Sequence, residues 1–211
     1  PYLKMGEENV LAVRVDNQEQ PNSRWYSGCG IYRNVWLTLT HPVHVDLWGT
    51  YVTTPQVSDK EATVSVHTSI KNEGTADAEV KVISALLDAE GNRVGETASV
   101  LPVSKDSVAT YQQSIQVASP ILWSVDNPYL YTLKTEVWAD DKLVDTYETK
   151  TGIRSFEFSA EKGFILNGKQ VKINGVCMHH DLGCLGAAVN RRAIERQLEI
   201  LKGMGCNGIR C

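Results

Sequence analysis

The stretch EATVSVHTSIKN, residues 61–72, alternates apolar and polar side chains over most of its length. Val64, Val66 and Ile70 stand two or four residues apart, which is the period of a β-strand with one buried face. Similar short runs stand between residues 43 and 151, namely HVDLWGTYVTT, AEVKVISALLDAEGN, VATYQQSIQV and LYTLKTEVWADDK. About seven short strands over roughly 100 residues favour an immunoglobulin-like β-sandwich.

The turn signals in this region agree with a sandwich. The segments EGNR and WADDKL are typical of hairpin turns. No cysteine lies between residues 43 and 151, so the predicted sandwich lacks an inter-sheet disulfide. Trp48, Trp123 and Trp138 are predicted to lie in its core or at a domain junction.

The residues before the sandwich are predicted to form strands and loops. VLAVRVDN and IYRNVWLTLT carry β-forming residues, and the polar, Pro- and Gly-marked segment QEQPNSRWYSGCG separates them. Pro42 marks a boundary. The predicted domains are therefore 1–41, 42–151 and 152–211.

The third segment has a different pattern. Asn167 and Gly168 stand between two β-like runs, which predicts a hairpin. Downstream, an apolar residue recurs every three or four positions, which predicts a helix with Asn190 as N-cap and Gly205 just after its end. The residues of this apolar face are Ile194, Leu198, Leu201 and Met204.

The predicted helix is flanked by GVC and GIR, which together give a strand–helix–strand unit. A single unit of this kind cannot cover both faces of its parallel strands. We therefore expect the chain to be a fragment of a larger α/β domain. A missing leader peptide then says little about localisation, because the true N-terminus is expected to lie further upstream.

The bulk composition excludes some partners. The net charge is −4 over 211 residues, which gives no basic surface for nucleic acid. No apolar run approaches the ~18 residues that a membrane span needs. The cysteine count is odd and the spacing irregular, so we expect free and mostly buried thiols rather than a disulfide framework. The cysteines are Cys29, Cys177, Cys184, Cys206 and Cys211.

The segment GVCMHHDLGCLG, residues 175–186, concentrates residues that carry chemistry. It allows three interpretations: a metal site, a catalytic cluster, or one sugar-contacting histidine among structural neighbours. Zinc would use Cys177, His179, His180 and Cys184, but their spacing is not a usual zinc pattern and adjacent strand residues point to opposite faces. A catalytic Cys–His dyad is a weaker interpretation still, because no further histidine follows His180 in the sequence.

Four stretches, in this order, resemble the family-two glycoside hydrolases, the group of β-galactosidases, β-glucuronidases and β-mannosidases. They are RWYSGCGIYRNVWL (24–37), LWSVDNPYLYTL (122–133), GIRSFEF with FILNGKQVKINGV (152–176), and GVCMHHDLGCLG through GCNGIRC (175–211). The match is strongest to the β-galactosidase members. The resemblance implies a mainly β chain: the tail of a jelly-roll sugar-binding domain, a complete immunoglobulin-like sandwich, and the first β–α–β unit of a TIM barrel.

The resemblance also implies a mechanism. These enzymes retain anomeric configuration with two glutamates, an acid/base and a nucleophile, about 5 Å apart. Neither family position falls within this chain, so no catalytic residue is assigned here. We expect the parent protein to hydrolyse β-galactosides or related oligosaccharides, and the 211 residues alone to be inactive.

By the same resemblance, His179 would hydrogen-bond sugar hydroxyls, with His180 and Asp181 beside it. Arg24 would take the place of an Asp that binds a sugar hydroxyl in some members, and Trp25 would form a platform for a sugar ring or pack at the domain junction. Arg210 would lie near the catalytic carboxylates or in the barrel core. These six residues are the expected substrate-binding residues: His179, Arg24, Trp25, Arg210, His180 and Asp181.

The family resemblance leaves several properties open. Arg33 is expected to form a structural pair. No metal ligand is expected in the chain, whereas Mg²⁺ and Na⁺ are possible in the parent protein, as is a homo-oligomer. The alternative function is a non-catalytic carbohydrate-binding or scaffolding module built around the sandwich.

Overall fold

The structure is a computed structural model that describes residues 3–4, 6–16, 18, 30–179, 182–188 and 190–211. The chain divides into two compact units. One comprises residues 38–172, and the other comprises residues 1–37 together with 173–211. The domain limits expected at residues 41 and 151 stay a prediction.

The larger unit contains the seven-stranded sandwich that the sequence predicts. Its strands form two antiparallel sheets, one with the order β1-β2-β5 and the other with the order β4-β3-β6-β7. The strands are β1 (Val43–Val57), β2 (Glu61–Asn72), β3 (Ala78–Leu87), β4 (Arg93–Val103), β5 (Ser107–Ala118), β6 (Tyr131–Ala139) and β7 (Lys142–Thr151).

The two hairpin turns predicted in the sandwich are confirmed, and both contain residues with positive φ. Asp140 and Asp141 have φ values of 51° and 58° and join β6 to β7 through a two-residue turn, since Ala139 pairs with Lys142. Positive φ at both turn positions matches the right-handed twist of the paired strands, and Asp tolerates it. Gly91, with φ of 87°, lies in the predicted turn between β3 and β4.

The sandwich core contains two apolar clusters. The first comprises Val43, Val45, Ile70, Val80, Val82, Val103, Tyr111, Val137 and Ala139. The second comprises Ala62, Val64, Val66, Leu86, Ile115, Val117, Tyr131, Leu133 and Ile153. In β2 the buried residues are those of the predicted alternation, which places Val64 and Val66 in one cluster and Ile70 in the other.

A polar layer separates the two clusters. It consists of Thr68, Ser84, Gln113 and Thr135, each buried and each standing on its strand between a residue of one cluster and a residue of the other. Gln113 joins the two sheets: its Oε1 accepts from the Ser84 hydroxyl at 2.6 Å, and its Nε2 donates to the Val82 carbonyl at 3.0 Å and to Ser99 Oγ at 3.2 Å.

Tyr111 makes a second bridge between the sheets. Its ring is fully buried, and its hydroxyl donates to the backbone carbonyls of Val80 at 2.8 Å and Leu101 at 3.1 Å. Burial raises the pKa of the Tyr111 phenol to about 12, because the ionised form would lose its hydration.

A short antiparallel sheet completes this unit. Its strands are β8 (Phe156–Ser159), β9 (Gly163–Leu166) and β10 (Lys169–Gln170). The hairpin predicted at Asn167–Gly168 is confirmed, because Leu166 pairs with Lys169. Asn167 has a φ of 50°, and its side chain accepts from the Ser155 backbone at 3.0 Å and donates to the Trp123 carbonyl at 2.9 Å.

The three tryptophans behave differently. Trp123 is half-buried where the β9–β10 turn meets the sandwich, with the Arg154 guanidinium 4.9 Å from its ring centroid. A Cβ on Gly152 would stand 2.9 Å from Trp123 Cβ, so only glycine fits beside this ring. Trp138 is half-buried on the outer face of its sheet. Trp48 does not lie in the core, since it is 87% exposed, and its place at a domain junction stays a prediction.

The smaller unit carries a parallel strand–helix–strand arrangement. It comprises β11 (Gly175–Cys177), a 3₁₀ turn (Gly183–Leu185), α1 (Arg191–Gly203) and β12 (Gly208–Arg210). The strands predicted in VLAVRVDN and IYRNVWLTLT are wrong for the residues described there, which pair with no described strand. Their large side chains are exposed, among them Val10, Leu11, Val35, Trp36 and Leu37. A β-prone run becomes a strand only where a neighbour completes its hydrogen bonds.

Cysteine burial also departs from expectation. The described cysteines are free thiols, as predicted, but Cys177, Cys184 and Cys211 are exposed and Cys206 is half-buried. They lie on and around β11 and β12, which have no buried residue in the structure. Cys29 lies outside the described residues. Within the described part of the chain, no helix is long and apolar enough to span a membrane.

We expect Gln113→Ala to lower the free energy of unfolding by about 2–3 kcal/mol, because it leaves the Ser84 hydroxyl buried without its acceptor. Urea denaturation of the 211-residue chain measures this, with an unchanged slope showing that the unfolded state is unaffected. Gln112→Ala is the matched control, since Gln112 is exposed on the same strand. Equal small effects from the two variants would show that the polar layer contributes little.

We expect the stability of the sandwich to fall as the pH rises from 10 to about 12. In the unfolded chain a tyrosine loses its proton near pH 10, whereas folded Tyr111 keeps it, so alkaline pH favours unfolding. Tyr111→Phe should make this pH dependence shallower, although not flat, because burial also raises the pKa of Tyr131. The measurement is urea denaturation at several pH values. The prediction fails if exposed Tyr147→Phe flattens the profile equally.

Candidate functional site

The site is built at one edge of the β11–β12 pair. These strands are parallel, with Gly175 opposite Gly208, Val176 opposite Ile209 and Cys177 opposite Arg210. The Met178 amide donates to the Arg210 carbonyl at 2.9 Å, which extends the pairing past β11. His179 and Arg210 therefore leave the ladder at the same edge, where the carboxyl ends of parallel strands meet.

The opposite edge of the pair is fixed by two asparagines. The Asn174 amide donates to Asn207 Oδ1 at 2.7 Å, and the Asn207 amide donates to the Asn174 carbonyl at 3.0 Å. Space is tight at the glycines that follow, since a Cβ on Gly208 would stand 2.8 Å from Ile173 Cγ2 and one on Gly175 would stand 3.3 Å from the Gly208 carbonyl oxygen. These contacts set the register that places His179 and Arg210 together.

Helix α1 is capped at both ends as its sequence predicts. Asn190 Oδ1 accepts from the Arg192 amide at 2.9 Å, which satisfies one free N–H at the helix start. At the other end Gly205 has φ of 88°, and the amides of Gly205 and Cys206 donate to the Lys202 and Leu201 carbonyls, both at 3.0 Å. This pair of hydrogen bonds is a Schellman motif.

A cavity of about 310 Å³ lies within this unit. Its walls come from the segment after β11, from α1, from the residue after β12 and from the N-terminal part of the chain. The lining residues are Arg33, Met178, His179, Leu182, Ile194, Gln197 and Cys211. The described lining is mainly apolar. His179 and Gln197 can each donate and accept hydrogen bonds, and Arg33 carries a positive charge. None of these residues is a carboxylate.

The structure shows where two of the predicted site residues lie, and their role in binding stays a prediction. His179 lines the cavity, whereas Arg210 stands at the same strand edge without being one of the lining residues. Arg24, Trp25, His180 and Asp181 lie outside the described residues, so their assignment to the site stays a prediction. The structural pair expected for Arg33 is present as a contact in which its guanidinium lies 5.6 Å from the Tyr32 ring centroid.

Among the described lining residues, His179 alone was assigned to the site from the sequence, and the polar residues Gln197, Cys211 and Arg33 were not. Gln197 lies one helical turn after Ile194, so its position on the cavity face of α1 follows from helical spacing. Cys211 follows β12 and faces the cavity as an exposed thiol. Arg33 belongs to the stretch 24–37 that carried the family resemblance, which was the available signal.

The metal interpretation gains no support from the geometry. Among the described residues, no three His, Cys, Asp or Glu side chains are grouped so that they could hold a metal ion. The zinc set of Cys177, His179, His180 and Cys184 includes one residue outside the described part of the chain.

Comparison with known proteins gives a family. The model of the glycosyl hydrolases family 2 matches residues 43–154, which is the sandwich. A β-galactosidase of Bacteroides ovatus is 60% identical over all 211 residues, which cover 25% of its length. A β-glucuronidase of Bacteroides fragilis is 30% identical, with 99% of this chain aligned to 31% of that protein. The chain thus spans about a quarter of the length of such relatives.

Solved structures agree with the fold. A family-two glycosyl hydrolase of Bacteroides cellulosilyticus superposes with a TM-score of 0.86 at 40% identity, covering 91% of this chain and 26% of that one. A β-glucuronidase of Bacteroides uniformis gives a TM-score of 0.75 at 27% identity, covering 82% of this chain and 22% of that one. The mainly β fold class predicted from the sequence is therefore confirmed.

We expect Asn190→Ala to destabilise α1 by about 1 kcal/mol, because the Arg192 amide loses its acceptor. Amide hydrogen exchange of the helix should then accelerate roughly fivefold, as that free energy requires. Asn190→Asp keeps a capping oxygen and is expected to leave the exchange rates nearly unchanged. Equal exchange in the alanine and aspartate variants would show that the cap does not hold the helix in place.

Proposed function

This chain belongs to the glycosyl hydrolases family 2, and we propose that it forms part of a retaining enzyme that cleaves terminal β-linked sugars, with β-galactosides as its substrates. The observation that carries the substrate class is the 60% identity, over every residue of the chain, to a protein named as a β-galactosidase. The β-glucuronidase of Bacteroides fragilis stands at 30% over nearly the same length.

The geometry of the site supports a role in sugar binding. In parallel α/β architecture, functional groups collect at the carboxyl edge of the strands, which is where His179 and Arg210 stand. An imidazole suits a hydroxyl-rich ligand because one nitrogen donates while the other accepts. The mainly apolar walls, Met178, Leu182 and Ile194, suit the C–H face of a pyranose ring.

The hydrolytic groups are proposed to lie elsewhere in the protein. Retaining hydrolysis needs two carboxyl groups about 5 Å apart, one to protonate the leaving group and one to form the glycosyl–enzyme bond. Among the described residues that line the cavity, none is a carboxylate. In this proposal the chain contributes binding and orientation through His179 and Arg210, and the two glutamates come from later barrel strands. Dependence of the whole protein on Mg²⁺ or Na⁺ and its assembly into oligomers remain predictions.

We expect the whole protein that contains this chain to hydrolyse 4-nitrophenyl β-D-galactopyranoside, with a higher kcat/KM than for the matching glucuronide. The 211-residue chain alone is expected to be inactive. Proton NMR should show β-galactose as the first product, since two displacements restore the original configuration. Inversion, or binding without hydrolysis by the whole protein, would contradict the proposal, and the second result would favour the non-catalytic carbohydrate-binding module.

The role of the histidine has its own test in the same protein. His179→Ala is expected to lower kcat/KM about tenfold, which corresponds to roughly 1.4 kcal/mol of lost binding to the sugar in the transition state. His67→Ala is the matched control, because His67 lies on β2 beside Tyr51, with ring centroids 6.1 Å apart. If both variants keep full activity, His179 does not contact the substrate.

A further inference from the structure

The outer face of the four-stranded sheet carries a second concave surface, within the sandwich unit. It encloses about 480 Å³ and is formed by β3, β4, β6 and the turn after β6. We call it the Trp138 surface. Its lining residues are Glu79, Lys81, Ile83, Val100, Trp138, Asp140 and Asp141.

Strand register brings an aromatic ring and apolar side chains together there. Lys81 is directly opposite Trp138 on β6 and directly opposite Val100 on β4, so the three side chains form one row across the sheet. Ile83 lies two residues further along β3 on the same face. Directly opposite side chains on neighbouring strands are in contact distance. The result is an indole beside Lys81, with Val100 and Ile83 as apolar neighbours on the same face.

The indole is held in a fixed orientation. Trp138 is half-buried, and its Nε1 donates to Glu136 Oε2 at 3.3 Å. Glu136 is itself paired with Lys134 at 2.8 Å, and the hydrogen bond from Lys134 lowers the pKa of the Glu136 carboxyl. The ring is therefore anchored by a carboxylate that is committed to structural partners.

The other charged groups of this surface, unlike Glu136, have no ion-pair partner among the described residues. Glu79, Lys81, Asp140 and Asp141 form no ion pair with any residue that the structure describes. Asp140 and Asp141 are exposed at the two turn positions with positive φ, where Asp is favoured and the side chains are displayed at the rim. Three carboxylates that accept hydrogen bonds and one ammonium group that donates them therefore lie around the Trp138 ring.

We propose that the Trp138 surface is an accessory binding site for a neutral oligosaccharide. The negative face of an aromatic ring attracts the weakly positive C–H groups on one side of a pyranose. Free carboxylates accept hydrogen bonds from sugar hydroxyls, and the Lys81 ammonium donates to sugar oxygens.

The charge of the surface defines the class of sugar. Three carboxylates outnumber the single ammonium group, so a uronate would be repelled and a neutral hexose accepted. A metal ion is a poorer occupant, because no three acidic or metal-binding side chains of the described chain are grouped to coordinate one. The site performs no chemistry, so it is independent of the proposed hydrolysis.

The test is titration of the ¹⁵N-labelled 211-residue chain with lactose, cellotetraose and methyl β-D-glucuronide, followed by NMR. The Trp138 indole N–H signal should shift and saturate with a neutral sugar, with a dissociation constant on the order of 1 mM for so open a site. Trp138→Ala is expected to weaken binding at least tenfold. Trp48→Ala is the matched control, since Trp48 is exposed on β1 of the other sheet.

A second variant avoids the loss of buried surface that accompanies Trp138→Ala. Asp140→Asn with Asp141→Asn keeps the side-chain size, and Asn also tolerates positive φ, so the turn is retained. This double variant is expected to weaken binding severalfold with an unchanged melting temperature. The proposal is overturned if no neutral sugar gives a saturable shift, if Trp138→Ala binds as well as the original chain, or if the glucuronide binds as tightly as lactose. Binding of a lysine-rich peptide in place of sugar would also overturn it.

Discussion

The hydrogen bond from the Ser84 hydroxyl to Gln113 Oε1, 2.6 Å long, is the interaction on which the sandwich depends. Apolar clusters alone would let two sheets slide past each other, because one Val or Ile fits another's place at little cost. A buried amide and hydroxyl do not allow this, since any other register leaves them unpaired in the core. The Gln113 bonds to Val82 and Ser99 and the Tyr111 bonds to Val80 and Leu101 act in the same direction.

Register has the same importance at the candidate sugar site, but a different origin. The β11–β12 pair contains no buried side chain, so apolar packing does not align it. Its alignment comes from backbone pairing, from the reciprocal bonds of Asn174 and Asn207, and from glycines that admit close approach. A shift of one residue would separate His179 from Arg210, so the two asparagine–glycine pairs help to shape the candidate site although they lie at the far edge.

Local signals in the sequence predicted the elements that local chemistry controls. The alternation in β2, the Asp140–Asp141 and Asn167–Gly168 turns, and the Asn190 and Gly205 ends of α1 all depend on residues close in sequence. The failures depend on distant partners. The runs at 10–15 and 31–39 have β-forming residues but no strand beside them among the described residues, and the described cysteines around β11 and β12 lie outside any buried cluster that the structure describes. The role of Gln113 cannot be read from its own sequence neighbourhood, because its hydrogen-bond partners lie on β3 and β4.

The path of strand β1 explains why Trp48 does not lie in the core. Val43 and Val45 point inward, and a regular strand would continue with every second residue. Instead, four residues stand opposite Ser69 alone, since Val45 pairs with Ile70 and Thr50 with Thr68. The inward positions change from odd to even numbers there, so Thr50 and Val52 face the buried side of β2.

A second irregularity between Thr53 and Gln56 restores the odd positions and lets Val57 pair with buried Ala62. The first bulge holds Trp48 at φ of 55°, an uncommon conformation for a bulky residue. It also needs Gly49, because a Cβ there would stand 2.7 Å from the Asp46 carbonyl oxygen and 2.8 Å from that of Ser69. Gly49 is thus the one visible sign in the sequence that the alternation is interrupted, and the outward position of Leu47 and Trp48 follows from it.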